Sequence, residues 1–81
     1  MDQPLIDAVT RRSVRDVQTA LDALDNPTAI VDVAGNNALH WAVIIGNYEI
    51  AELLIRSGKF NINAVNINNE TALLKAVTLY R

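Results

Sequence analysis

Asn37-Ala38-Leu39-His40-Trp41-Ala42-Val43 is the stretch that decides the fold. Asn37 is a residue type that caps helix N-termini, and Leu39 and Ala42 follow three apart on one face. The result is a short helix with a narrow, small-residue face. So narrow a face cannot bury itself alone and needs neighbours of its own kind. The chain supplies them on both sides. Leu5-Ile6-Asp7-Ala8-Val9 lies 34 residues upstream, and Leu73-Leu74-Lys75-Ala76-Val77 lies 34 residues downstream. Three copies of L-x-x-A-V at one interval indicate a helical array, in which each unit is stabilised by the next.

Composition narrows the function classes. The chain has 81 residues, enough for one domain, and is 51% hydrophobic and 20% charged, which suits a packed core rather than a disordered tail. Its net charge is −2, with both signs interspersed. That provides no field for nucleic acid or for an anionic membrane surface. The longest apolar run, Trp41 to Ile45, is far too short to span a bilayer. There is no cysteine, hence no disulfide framework and no thiolate zinc site. Met1-Asp2-Gln3-Pro4 lacks the basic and apolar regions of a secretion signal, so the expected location is cytoplasmic, with the nucleus as an alternative.

Local signals divide the chain into alternating short and long helices. Pro4 suits the first turn of a helix carrying Leu5, Ala8 and Val9, which Arg11-Arg12 ends. Ser13 opens the next helix, with Asp16 three residues on. Val14, Val17, Leu21 and Leu24 give it an amphipathic rhythm up to Asp25-Asn26-Pro27. Asp32-Val33-Ala34-Gly35 reads as a turn, with Asp first and Gly fourth. Gly46-Asn47 separates the Asn37-capped helix from a longer one over 48–57, whose Ile50, Leu53 and Leu54 face inward. Gly58 suits the left-handed position after that helix. An Asn-rich turn region over 61–69 precedes a last helix capped by Thr71, running from Ala72 to about Tyr80.

The interval of 34 fits the tetratricopeptide repeat better than the ankyrin repeat, but about ten turn-forming residues follow each long helix, where tetratricopeptide helices are joined by tight turns. Residues 32–64 resemble one whole ankyrin repeat. Asp32 and Gly35 match its D-x-x-G. Asn37-Ala38-Leu39-His40-Trp41-Ala42-Val43 matches T-P-L-H-x-A-A, with Asn37-Ala38 in place of Thr-Pro. Gly46-Asn47-Tyr48-Glu49-Ile50-Ala51-Glu52-Leu53-Leu54 matches G-H-x-E-I-V-x-x-L, and Gly58 with Asn61-Ile62-Asn63-Ala64 matches G-A-D-V-N-A. One extra residue, in Lys59-Phe60, stretches the family's interval. The resemblance implies an all-α ankyrin-repeat solenoid segment, with helix-turn-helix pairs joined by β-turn loops, of about two and a half repeats. The units run over 1–31 (atypical), 32–65 (complete) and 66–81 (first helix only).

The same resemblance implies a non-catalytic module that binds a partner protein through its concave helix face and turn fingers. The alternative is a regulatory or targeting segment of a larger multidomain enzyme or effector. The expected contact residues are Ile44 and Ile45, with Trp41 behind them, and the finger residues Val33, Ala34, Asn36, Ile67 and Glu70. Ile44 and Ile45 stand where the family is usually polar, so they are either exposed partner contacts or packing against the neighbouring short helices. Trp41 is either an anchor or a filler between repeats. The expected structural residues are Asn37, Ala38, Leu39, His40, Gly46, Gly58 and Thr71.

His40 is the only histidine, and no nucleophile or carboxylate stands in a catalytic spacing to it. The family assigns it to bonding the neighbouring backbone. No catalytic, cofactor or metal site is expected. Arg11, Arg12 and Arg15 read as a solvated face, and Asn69-Glu70-Thr71 reads as a turn rather than a glycosylation site. The last unit lacks its second helix, leaving Leu73, Leu74, Val77, Leu79 and Tyr80 short of cover. Either the array continues in a longer protein, or the open end stacks on another copy of the chain.

Overall fold

A computed structural model describes residues 4–80. Met1-Asp2-Gln3, read as lacking a secretion signal, and Arg81, the outermost residues of the first and third units, lie outside the described residues. The described chain is all-helical. It contains α1 (Pro4–Thr10), α2 (Val14–Asp22), α3 (Ala38–Ile44), α4 (Tyr48–Arg56) and α5 (Ala72–Tyr80), with one 3-10 turn over Pro27–Ala29. The first residues of α1, α3 and α5 repeat at the interval of 34 read from the sequence, and so do those of α2 and α4.

Caps fix where the helices begin. The side chains of Ser13, Asn37, Asn47 and Thr71 each accept a bond from the backbone N–H three residues on. The Asn47 cap sits within the Gly46-Asn47 break and starts α4 there. At α3 the cap is reciprocal: the Asn37 side chain accepts from the His40 N–H, and His40 Nδ1 accepts from the Asn37 N–H at 3.2 Å. A histidine thus takes the place that Glu or Gln holds in the usual capping box.

The ends of α1 and α3 share one geometry. The N–H of Ser13 bonds the carbonyl of Ala8, and the N–H of Asn47 bonds that of Ala42. Each closure needs a left-handed residue just past the helix. Gly46 supplies it after α3, whereas Arg12 does so after α1, with φ of 61°. A non-glycine residue there costs about 1 kcal/mol. The Arg12 guanidinium offsets the cost by donating to the carbonyl of Ile45 at 3.0 Å.

Two corrections concern length. α2 ends at Asp22, three residues before the expected stop, and Pro27 opens the separate 3-10 turn. α5 has nine residues, as many as α2 and α4, so the last helix is not short.

α3 is the centre of the molecule. It packs against α1 on one side and α5 on the other, with α4 as its own partner, while α2 partners α1. Leu5, Val9, Val17, Leu21, Leu39, Ile50 and Leu54 form one continuous core. Alanines 8, 38, 42 and 72 are also buried in it and let the short helices approach closely. The carbonyls at the end of α3 are bonded from both neighbours. Arg12 reaches Ile45 from the α1 side, and the Tyr80 hydroxyl donates to Val43 at 2.8 Å and Ile44 at 3.1 Å from α5.

Candidate functional site

The expected contact residues fall on two neighbouring turns and on α3. The first finger is built on Asp32. Its Oδ1 accepts from the N–H groups of Ala34 and Asn36, both at 2.9 Å, and the Gly35 N–H closes the turn on its carbonyl. The second finger repeats this on Asn66, whose Oδ1 accepts from the N–H groups of Asn68 and Glu70. Asn69, with φ of 61°, stands where Gly35 stands in the first finger.

Two bonds staple one finger to the other, and a third ties the second finger to α3. The Ile67 N–H donates to the Ala34 carbonyl at 2.9 Å, and Asn66 Nδ2 donates to Asn36 Oδ1 at 2.9 Å. His40 Nε2 bonds the Glu70 carbonyl at 2.7 Å. Because Nδ1 already accepts from Asn37, it is Nε2 that carries the hydrogen and donates. His40 is 1% exposed with both nitrogens engaged, which leaves no free lone pair for base chemistry. It is a joint between α3 and the second finger.

Electrostatics hold the fingers to the helices behind them. Burial raises the Asp32 pKa, but bonds from the Asn36 N–H, the Trp41 indole and the Ala34 N–H outweigh it and hold the carboxyl below its ordinary value. The Trp41 indole donates to Asp32 Oδ2 at 2.9 Å. Glu70 is held low as well, first by the Asn66 amide and, against some desolvation, by Lys75 at 3.4 Å.

The sequence-expected contact residues therefore separate. Val33 is fully exposed at 102% and Ile67 at 73%, each at a fingertip. Ala34 is half-buried and gives its carbonyl to Ile67. Asn36 is buried, and the half-buried Glu70 is bonded to Asn66 and Lys75, so neither side chain stands free at a tip. Trp41 is half-buried, packs on the core and is tied to Asp32. Ile44 and Ile45 are half-buried rather than exposed, and Ile45 packs on the core. The bonds by which Arg12, Lys59 and Tyr80 join segments more than thirty residues apart are not among the sequence expectations. Their only signal was chemical type: a cation or a hydroxyl beside a helix end.

The sequence pattern described as ankyrin repeat matches residues 34–67. Residues 34–67 carry an ankyrin repeat. The match covers α3 and α4 and reaches the second fingertip at Ile67, but it begins one residue after Val33. Among curated proteins, the cell division cycle-related protein res1/sct1 of Schizosaccharomyces pombe is 40% identical over 47 residues, which is 58% of this chain and 7% of that protein. The palmitoyltransferase ZDHHC17 of Homo sapiens is 50% identical over 38 residues, 47% of this chain and 6% of that protein. This chain thus spans a small fraction of the relatives it matches. Among solved structures, a chain in the Bd0816 predatory endopeptidase of Bdellovibrio bacteriovorus in complex with immunity protein Bd3460 superposes with a TM-score of 0.78. It is 28% identical, and the match covers 95% of this chain and 39% of that one.

Ankyrin repeats are in general protein-interaction modules and non-catalytic, and sequences like this one also occur as parts of larger enzymes. Among the described residues, no helix is long and apolar enough to cross a membrane.

Proposed function

We propose that this ankyrin segment binds a partner protein with its two fingertips and the adjoining face of α3. The observation that carries the proposal is the fully exposed Val33 beside the exposed Ile67, on fingers bonded to each other through Ile67 and Ala34. An exposed apolar side chain on a turn braced by backbone and amide bonds loses little entropy on binding, which is what a contact anchor needs. Trp41 braces the first turn from behind through its bond to Asp32, and Ile45 packs on the core. The proposed division is three units, over 1–31, 32–65 and 66–81, and the proposed setting is inside the cell.

The test uses Val33→Asp/Ile67→Asp, two substitutions at positions that hold nothing in the core. The double variant is expected to keep the helical circular dichroism of the wild type. A partner is first recovered from a cell extract and identified, and its affinity for both proteins is then measured by calorimetry. A loss of tenfold or more supports fingertip binding. Equal affinity for the two proteins overturns it.

A second reading rests on the palmitoyltransferase relative, of which the matched stretch is 6%. In that reading the segment is the regulatory or targeting part of a larger enzyme or effector. A catalytic motif in the same reading frame, outside these 81 residues, would favour it.

A further inference from the structure

Behind α5 lies an open groove of about 430 Å³. One wall is α4, through Tyr48, Ala51 and Ile55, and the other is α5, through Ala72, Leu73 and Ala76. Every residue lining the groove is uncharged. Beside it, α5 raises a ridge of Leu73, Val77 and Tyr80, spaced four and three apart and therefore on one helix face. Leu73 is 75% exposed, and Val77 and Tyr80 are each 50% exposed. The Tyr80 ring meets Tyr48 edge-on at 6.4 Å, so ridge and groove form one continuous apolar surface.

We infer that this surface is a twofold interface, in which the α5 ridge of each copy lies in the α4–α5 groove of the other. Four observations carry it. A twofold contact needs a self-complementary patch, and a ridge beside a groove is one. The lengths agree, since α4 and α5 have nine residues each. The charges agree too: Lys75 is the one charged residue in Ala72–Tyr80, and it is held by Glu70, so closure buries no unpaired charge. The area is sufficient. Tyr48, Ile55, Ile62, Leu73, Val77 and Tyr80 are each half to three-quarters exposed. Together they offer on the order of 600 Å² per copy, or about 1,200 Å² for the pair, at the lower edge of specific interfaces. Small alanines at 51, 72 and 76 leave room for a neighbouring helix to approach.

The experiment is sedimentation equilibrium of the 81-residue chain from roughly 5 to 500 µM, a span suited to a weak dimer. The mass is expected to rise from 8.9 kDa towards twice that value and to stop there. Leu73→Glu/Val77→Lys, with unchanged circular dichroism, is expected to remain at the mass of one chain. The chain has no cysteine, so Val77→Cys offers a unique probe. Under mild oxidation it is expected to give a covalent dimer at least tenfold faster than Asp22→Cys, which is exposed on α2. A wild type that stays monomeric throughout, a mass that grows past two chains, or a dimer that survives the double substitution each overturns the inference. None of these readouts involves a partner protein, so the fingertip proposal stands or falls separately.

Discussion

Gly35 shows how one residue serves two neighbours. Its φ of +78° already favours glycine, and a Cβ there would meet the Ile67 nitrogen at 3.1 Å and the Asn66 Cα at 3.2 Å. Both are backbone atoms of the next finger and cannot rotate away. Gly58 has φ of +72° but nothing within 4 Å of its added Cβ. Gly58→Ala should therefore cost only the strained backbone, about 1 kcal/mol. Gly35→Ala should cost about 2 to 3 kcal/mol, because it also forces the fingers apart. Urea unfolding of the two variants checks the order, and equal midpoints would show that the fingers are not in close contact. Asn69 holds the matching position of the second finger and is exposed, so only the left-handed φ is demanded there, which asparagine tolerates.

At the scale of elements, side chains reaching across from other segments finish helices that local sequence leaves open. Lys59 lies in the stretch where an extra residue lengthens the interval. Its Nζ donates to the carbonyls of Leu21 at 2.8 Å and Leu24 at 3.1 Å, at the end of α2. A cation there meets the negative end of the helix and gives a charged donor to the Leu24 carbonyl and a further one to the Leu21 carbonyl, which also accepts from the Leu24 N–H. Lys59→Met keeps the length and the apolar stem and removes the charge. It should lower stability by about 1 to 2 kcal/mol, with Lys59→Arg closer to the wild type. Denaturant midpoints within error for Lys59→Met would mean that solvent serves those carbonyls equally well. Arg12 and Tyr80 do the same work at the end of α3, from opposite sides.

For the whole molecule, acid is the informative perturbation, because the carboxylates that tie fingers to helices are both held below their ordinary pKa values. Groups depressed in the folded state contribute stability that is complete above their unfolded values and disappears as pH falls through the folded ones. The ankyrin segment should thus hold its stability above about pH 5 and lose it progressively below. Asp32→Asn should flatten that loss. It keeps an Oδ1 acceptor for the turn, as Asn66 does, but deprives the Trp41 indole of its acceptor. The measurement is the difference in unfolding free energy between pH 6 and pH 3. Identical losses in wild type and variant would show that Asp32 is not among the groups that titrate with unfolding.

The sequence by itself determined the helices, the interval and the turns. The reason is range: an Asn37 cap, an Asp32 turn or the break at Gly46 acts within four or five residues, and its signature is local. It also located the left-handed position at Gly58 and the structural part of His40. What only the tertiary structure decided was which candidate contact residues are free. Val33 and Asn36 lie three apart on one finger, yet Val33 is fully exposed while Asn36 is buried under Asn66, thirty residues away. Ile44 and Ile45 are adjacent and alike, yet only Ile45 reaches the core. Burial depends on which distant segment arrives at a given side chain, and stacking of the helices, not local spacing, brings that segment there.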